Sequence, residues 1–294
     1  MKKIILFTAI VAVTCMFAGC EQNANNLQVP HAGFSVAPNR YVQFAPGNLQ
    51  YTYSTDTWAF AAEQYEMLGT DNLIDDAYYQ NYDVIYGGVK EGATALADKI
   101  DLFNWSSSAE LKWGVPSSLL AFEAYNGDFA DWGQKIDDGK TWRTLTIDEW
   151  TYLLDKRPNA SVLKGIARIY LNDDGSKFSN GLILLPDNWR IPNGITFKSA
   201  FSNEKGAKEY AAYQTYTLTE WKKLESAGAA FLPASGYRSG DGCYDVQNYG
   251  TYWSSTSYDS SCAYFLLFQS NEFELEWSGD DFGYAVRLVQ DLDD

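Results

Sequence analysis

The chain contains a single histidine in 294 residues, His31. It sits in a polar stretch near the N-terminus, so the body of the chain offers no imidazole for Ser-His-Asp or Cys-His catalysis, or for a His-based zinc site. Cysteine is nearly as scarce. Of four, Cys15 and Cys20 fall in the first twenty residues, and Cys243 and Cys262 lie far downstream. Positive charge is also short, with 22 Lys and Arg against 38 Asp and Glu and a formal net charge of −16. Such a surface repels nucleic acid and anionic lipid, which makes both poor partners. Long apolar runs are missing beyond the first twenty residues, and the one found there is short for a helix that spans a bilayer.

That first run reads "MKKIILFTAIVAVTCMFAGC": two lysines, an apolar stretch from Ile4 to Phe17, then small residues before Cys20. The pattern is that of a secretory signal peptide. Its ending, "FAGC", resembles the lipobox of bacterial lipoproteins. The resemblance implies cleavage after residue 19, lipid on the Cys20 thiol, and an extracytoplasmic protein anchored to a bacterial membrane, at the outer membrane or cell surface. Without Lys2 and Lys3, 20 basic and 38 acidic residues leave a charge of −18. Residues 20–39, Asn-rich and broken by Pro30 and Pro38, suit a flexible tether. Residues 40–294 are then expected to form one domain.

Within that domain "PGN" at Pro46–Asn48 and the alternation Leu49, Tyr51, Tyr53 predict an early hairpin or meander. Residues 63–142 hold Trp105, Trp113, Trp132 and Trp142 without sustained periodicity, and are expected to be packed loops with short helices. Thr146 with Glu149, and Thr217 with Glu220, each fit the capping box of a helix start. After residue 229 the pattern turns to β. "FELEW" predicts a strand with Phe273, Leu275 and Trp277 on one face and Glu274 and Glu276 on a solvated one.

One segment stands out by composition. Between Gly236 and Tyr264, 20 of 29 residues are Tyr, Ser, Gly, Asp or Asn, and Tyr249–Tyr264 contains no Lys, Arg or Glu. Tyr supplies rigid amphipathic contact area and Ser, Gly and Asn supply adaptable hydrogen bonding, a mixture typical of binding surfaces. A turn-rich β segment is the plainer alternative. An extracytoplasmic compartment permits a disulfide between Cys243 and Cys262, and two free thiols are the other reading.

The motifs "FAPGNLQY", "LFNW", "WRTLTIDEWTYLL", "LLPDNWR", "GAAFLPASGYR", "GTYWSSTSY" and "GYAVRLV", in this order, resemble bacterial lipoproteins of the Fibrobacter-type major paralogous domain. The resemblance spans about residues 40–290. It implies an α+β, C-type lectin-like fold of the subgroup that includes the formylglycine-generating enzymes, with short strands, two main helices, long loops and adjacent chain ends. It also implies similarity to variable proteins of diversity-generating retroelements, whose ligand-display region corresponds to 236–289 here. On that pattern Tyr237, Gly250, Trp253, Ser254, Ser255 and Val286–Val289 would be fixed frame. The ligand-binding set would be Arg238, Asp241, Tyr244, Asp245, Asn248, Tyr249, Tyr252, Tyr258, Asp259, Ser260, Tyr264, Asn271 and Trp277. The calcium-dependent sugar readers of this fold carry Glu-Pro-Asn or Gln-Pro-Asp and Trp-Asn-Asp, and the chain has neither. "PDNW" at 186–189 reads instead as a turn that packs Trp189. Cys243 and Cys262 lack the motif around the cysteines of the formylglycine-generating enzymes, so the oxidase activity does not carry over.

The expectation is therefore a lipid-anchored surface protein, not an enzyme, that binds a protein or glycan and needs no metal or cofactor. A structural envelope or fimbrial lipoprotein and a carboxylate-dependent glycan-active enzyme are the alternatives.

Overall fold

The structure is a computed structural model and describes residues 33–68, 84–85, 99–107, 112–115, 128–199, 210–239, 242–270 and 272–292. In chain order the early strands are β1 (Phe34–Ala37), β2 (Arg40–Phe44), β3 (Leu49–Thr52) and β4 (Thr57–Phe60). Short strands β5 (Val84–Ile85), β6 (Lys99–Ile100), β7 (Leu102–Phe103) and β8 (Trp142–Arg143) follow, with the one-turn helix α1 (Gln134–Asp137) before β8. Helix α2 (Ile147–Thr151) leads to β9 (Lys164–Tyr170), β10 (Phe178–Leu184) and β11 (Thr215–Thr217), and helix α3 (Leu218–Ser226) to β12 (Ala230–Pro233). The last third holds β13 (Tyr237–Ser239), β14 (Gly242–Tyr244), β15 (Gly250–Ser257), β16 (Cys262–Phe268), β17 (Phe273–Gly279), β18 (Tyr284–Ala285) and β19 (Val289–Leu292). The fold is mixed α/β, made mostly of sheets with a few short helices.

Both capping boxes form. Thr146 Oγ1 accepts from Glu149 N while Glu149 Oε2 accepts from Thr146 N, and Thr217 with Glu220 repeats the exchange. Each box satisfies backbone donors that a helix start leaves without partners. Behind them Trp150 and Leu154, four residues apart, are buried, as is Trp221. Glu149 does more than cap, since Arg143 grips it with two hydrogen bonds of 2.8 and 2.9 Å and also bonds Asp291.

The strands form five sheets, ordered β1-β2-β19-β8, β11-β9-β10-β12, β13-β14-β5, β17-β16-β15-β18-β7 and β4-β3-β6. β19 runs antiparallel to β2 in the register Val289↔Phe44 to Leu292↔Tyr41, so the first and last parts of the described chain lie side by side. Two clusters of buried side chains fill the interior. The larger joins Phe34, Trp132, Trp150, Tyr252, Trp253 and Phe268, and the smaller centres on Ile169, Ile183, Trp221 and Phe231.

Several expectations need correction. β1 falls inside the stretch read as tether, where Phe34 and Val36 are buried. The expected hairpin forms as β3 with β4, paired from Leu49↔Phe60 to Thr52↔Thr57, and β1 with β2 makes another, but Pro46–Asn48 does not join a pair, since β2 lies between β1 and β19. Asn48, read as part of a turn, is completely buried. It donates to Ser235 Oγ and Tyr252 Oη and accepts from Arg287 Nε at 2.9 Å. Of the tryptophans in 63–142, Trp105 and Trp132 are core and Trp113 and Trp142 are half-buried, while much of that stretch lies outside the described residues. At 186–189, Trp189 N donates to Pro186 O at 3.0 Å to close the expected turn.

Candidate ligand-binding surface

β15, β16 and β17 are consecutive antiparallel strands at one edge of their sheet. β16 and β17 pair without interruption from Cys262↔Gly279 to Phe268↔Phe273, which sets Tyr264 opposite Trp277 on one face. β15 breaks register between Trp253 and Ser257. A bulge of this kind re-aims the end of a strand, and the chain then turns through Tyr258–Ser261. The turn is closed by Tyr258 N and Asp259 N, both donating to Cys262 O, and by Asp259 Oδ1, which accepts from Ser261 N at 2.8 Å.

The result is a cluster of three rings. Tyr258 and Trp277 stack with centroids 4.5 Å apart and planes within 5°, and Tyr264 meets Tyr258 edge-on at 5.4 Å. Trp277 is 50% and Tyr258 46% exposed. Among the described residues no other aromatic side chain is exposed; the rest are half-buried or buried. Two large rings left in water and stacked on each other present a contiguous apolar face, which a lone exposed aromatic does not. Asp259 and Ser260, also exposed, flank it.

The carboxylates of "SGDD" at 278–281, which the sequence offers either as oxygen donors or as a plain loop, complete this end. Asp280 follows the end of β17 and is buried, and its carboxyl is pushed up to about 6 by burial and by the neighbouring Asp281 and Asp259. Its turn is fastened by Asp280 N donating to Ser261 O and by Asp280 O accepting from Trp105 N. The Asp-Asp pair directly after an alternating strand was the available signal.

A second group of expected site residues sits elsewhere. Tyr244 ends β14, and Asp245, Asn248 and Tyr249 belong to the turn before β15, where Asp245 O accepts from Asn248 N and Tyr249 N. Asn248 is exposed, whereas Tyr244, Asp245 and Tyr249 are half-buried. Tyr244 stacks on Tyr237 at 5.5 Å, and burial raises the Asp245 carboxyl. The two groups stand at opposite ends of β15, whose eight residues extend roughly 25 Å. The expected single display region therefore divides into two.

Two assignments are overturned and one open choice is decided. Arg238 is 1% exposed, with its guanidinium turned inward to Leu102 O and Asn104 Oδ1, so it is not a surface contact. Tyr252 is wholly buried, its hydroxyl donating to Pro233 O at 2.7 Å, because β15 is covered on both faces from Gly250 to Ser254. Cys243 and Cys262 are both free thiols, the first buried and the second half-buried. Asp241, Asn271 and the proposed lipid site Cys20 lie outside the described residues.

The frame residues have structural partners. Trp253 Nε1 donates to Phe103 O at 2.7 Å, Ser254 Oγ donates to Tyr264 O at 2.8 Å, and Ser255 N donates to Leu145 O. Gly250 faces the Phe268 ring, which a Cβ would meet at 1.9 Å. Among the described residues no three His, Cys, Asp or Glu side chains are arranged to hold a metal ion, and no helix is long and apolar enough to cross a membrane. Comparison of the chain with protein-family models, with curated proteins and with solved structures finds no match.

Proposed function

We propose that this chain is a lipid-anchored surface protein that binds a protein or glycan ligand, rather than an enzyme, and that the Tyr258–Trp277–Tyr264 cluster is its contact face. The observation that carries this reading is the stacked, half-exposed pair on a β framework whose other described aromatics are half-buried or buried. Rigid aromatic side chains bury large area at little entropic cost, which is why they dominate contact energies at interfaces. The pairing of β2 with β19 and the two capped helices are consistent with a C-type lectin-like fold and with the lipoprotein family that the motifs resemble. Cys20 would carry the lipid and hold the protein at the outer membrane or cell surface.

The test is to screen the full-length protein against arrays of glycans and of surface proteins, beside a Tyr258→Ala/Trp277→Ala variant. Loss of at least about 10-fold in affinity is expected, since stacked aromatic anchors at contact centres typically contribute 2 kcal/mol or more. The melting temperature should hardly change, because both rings are half in water. Unaltered binding by the variant would remove the cluster from the function. Retroelement diversification is a narrower proposal. It requires a reverse transcriptase gene nearby and a near-copy of the sequence encoding 236–289 that differs at adenines, and their absence from the genome rules it out.

A further inference from the structure

We propose that the partner of the Tyr258–Trp277 face is a protein segment rich in Lys and Arg that lies along the edge of β17 with which no described strand pairs. This rests on the binding function proposed above and specifies its ligand. Three observations point the same way.

The first is charge. From residue 239 to residue 286 the chain has no Lys or Arg and eight Asp and Glu. The arginines that bound this stretch, Arg238 and Arg287, are both buried. Lys164 does reach β17, at its far end, but it is buried there against Phe273 and beside Asp155. The segment that forms the candidate face therefore supplies it with negative charge alone.

The second is the company the rings keep. Asp259 follows Tyr258 directly, and Asp280 and Asp281 come three and four residues after Trp277. Asp259 and Asp281 are close enough to Asp280 for their charges to be felt there. An aromatic face attracts a cation through its quadrupole, and carboxylates beside it add to the attraction. The chain already uses the first of these on the same strand, where the Lys164 ammonium sits 4.3 Å from the Phe273 ring centroid.

The third is the edge. β17 is the last strand of its sheet among the described strands, so one side of its backbone faces away from the sheet. Edge strands can accept an added strand, and charged side chains on them select which one. Glu274 and Glu276 alternate along β17. A second copy of this chain would set its own glutamates against them in a molecule of net charge −16, whereas a basic strand would pair with them.

The probe is a short fluorescein-labelled peptide of lysines with an occasional Thr (the Lys-Thr peptide), so that an added strand sets ammonium groups on both the ring face and the Glu274/Glu276 face of β17, with matching Glu-Thr and Gln-Thr peptides as comparators, titrated into the full-length protein by fluorescence anisotropy. The Lys-Thr peptide should bind, more weakly as salt rises, and the Glu-Thr peptide should not. Tyr258→Ala/Trp277→Ala, which leaves every charge in place, should weaken Lys-Thr binding about 10-fold. Glu274→Lys/Glu276→Lys should turn the preference toward the Glu-Thr peptide, a gain that an unfolded variant cannot produce. Equal binding of the Lys-Thr peptide with and without the two rings would mean diffuse attraction to an acidic protein, and would overturn the proposal. Ring-dependent capture of a neutral glycan or an acidic protein, without ring-dependent Lys-Thr binding, would overturn the basic partner and leave the binding function standing. If nothing the protein captures depends on the rings, both fall.

Discussion

Replacing Arg287 with methionine is expected to lower folding stability by about 3–5 kcal/mol, because several buried neutral acceptors lose their donor at once. Arg287 is 1% exposed, and its guanidinium donates to Asn48 Oδ1 at 2.9 Å, Phe231 O at 2.9 Å, Gln64 O at 3.2 Å and Ala45 O at 3.3 Å. These acceptors come from the segments before β3, after β4 and within β12, so one side chain near the C-terminus ties together parts of the chain that are distant in sequence. Burial lowers its pKa to about 10, which still leaves it charged at neutral pH. Methionine keeps much of the volume and none of the donors. The carbonyls then stay buried without those bonds, and each such group costs about 1–3 kcal/mol. Urea unfolding of the two proteins measures the difference, and a loss below about 1 kcal/mol would mean that water or rearrangement replaces the guanidinium.

Asp101→Asn is expected to do the opposite, and only above acidic pH. Asp101 is 1% exposed, and burial raises its carboxyl to about 7 from a usual value of 3.8. Cys243 and Tyr252 lie near enough to have their own ionisation opposed by an Asp101 charge. The folded protein thus keeps a proton on Asp101 between about pH 4 and 7 that the unfolded chain has released. The resulting stability is present in full below the unfolded pKa and is lost as pH rises through the folded one. At pH 8 the wild type carries a buried charge at a cost of up to about 4 kcal/mol relative to acid. Asparagine can still accept the hydrogen bond from Leu68 N, made at 2.8 Å in the native protein, and carries no charge. The variant should therefore be more stable than wild type at pH 8, by an amount that shrinks toward zero near pH 4. An equal effect at both pH values would show that the carboxylate is stabilised by partners rather than disfavoured by burial.

What the sequence disclosed follows from the range of the interactions involved. The capping boxes are contained within four residues, and both helices begin where Thr146 and Thr217 say they should. The strand itself, Phe273–Gly279, forms in unbroken register with β16, but burial follows the expected alternation only as far as Leu275, since Glu276 is half-buried and Trp277 exposed. The buried polar groups were hidden for the opposite reason. Asn48 looks like a turn residue until Arg287, 239 positions away, is set beside it. Arg238 looks like a surface charge until the 101–104 segment receives its guanidinium. Composition could not separate Tyr252 from Tyr258. Both are tyrosines of one Ser-rich stretch, but Tyr252 lies in the part of β15 that is covered on both faces, whereas Tyr258 follows the register break after Trp253 and is left in water. The stacking of Tyr258 on Trp277 needed the register of three strands, and residue spacing alone does not carry it.

The most direct test of the central claim is carbene footprinting of the full-length protein with and without a ligand captured on the arrays, read by mass spectrometry. Protection concentrated in 258–264 and 273–281 is the expected result. Protection elsewhere, for example in the open groove between Tyr170–Gly175 and Thr217–Lys222, with the Tyr258 and Trp277 peptides labelled equally in both states, would contradict it.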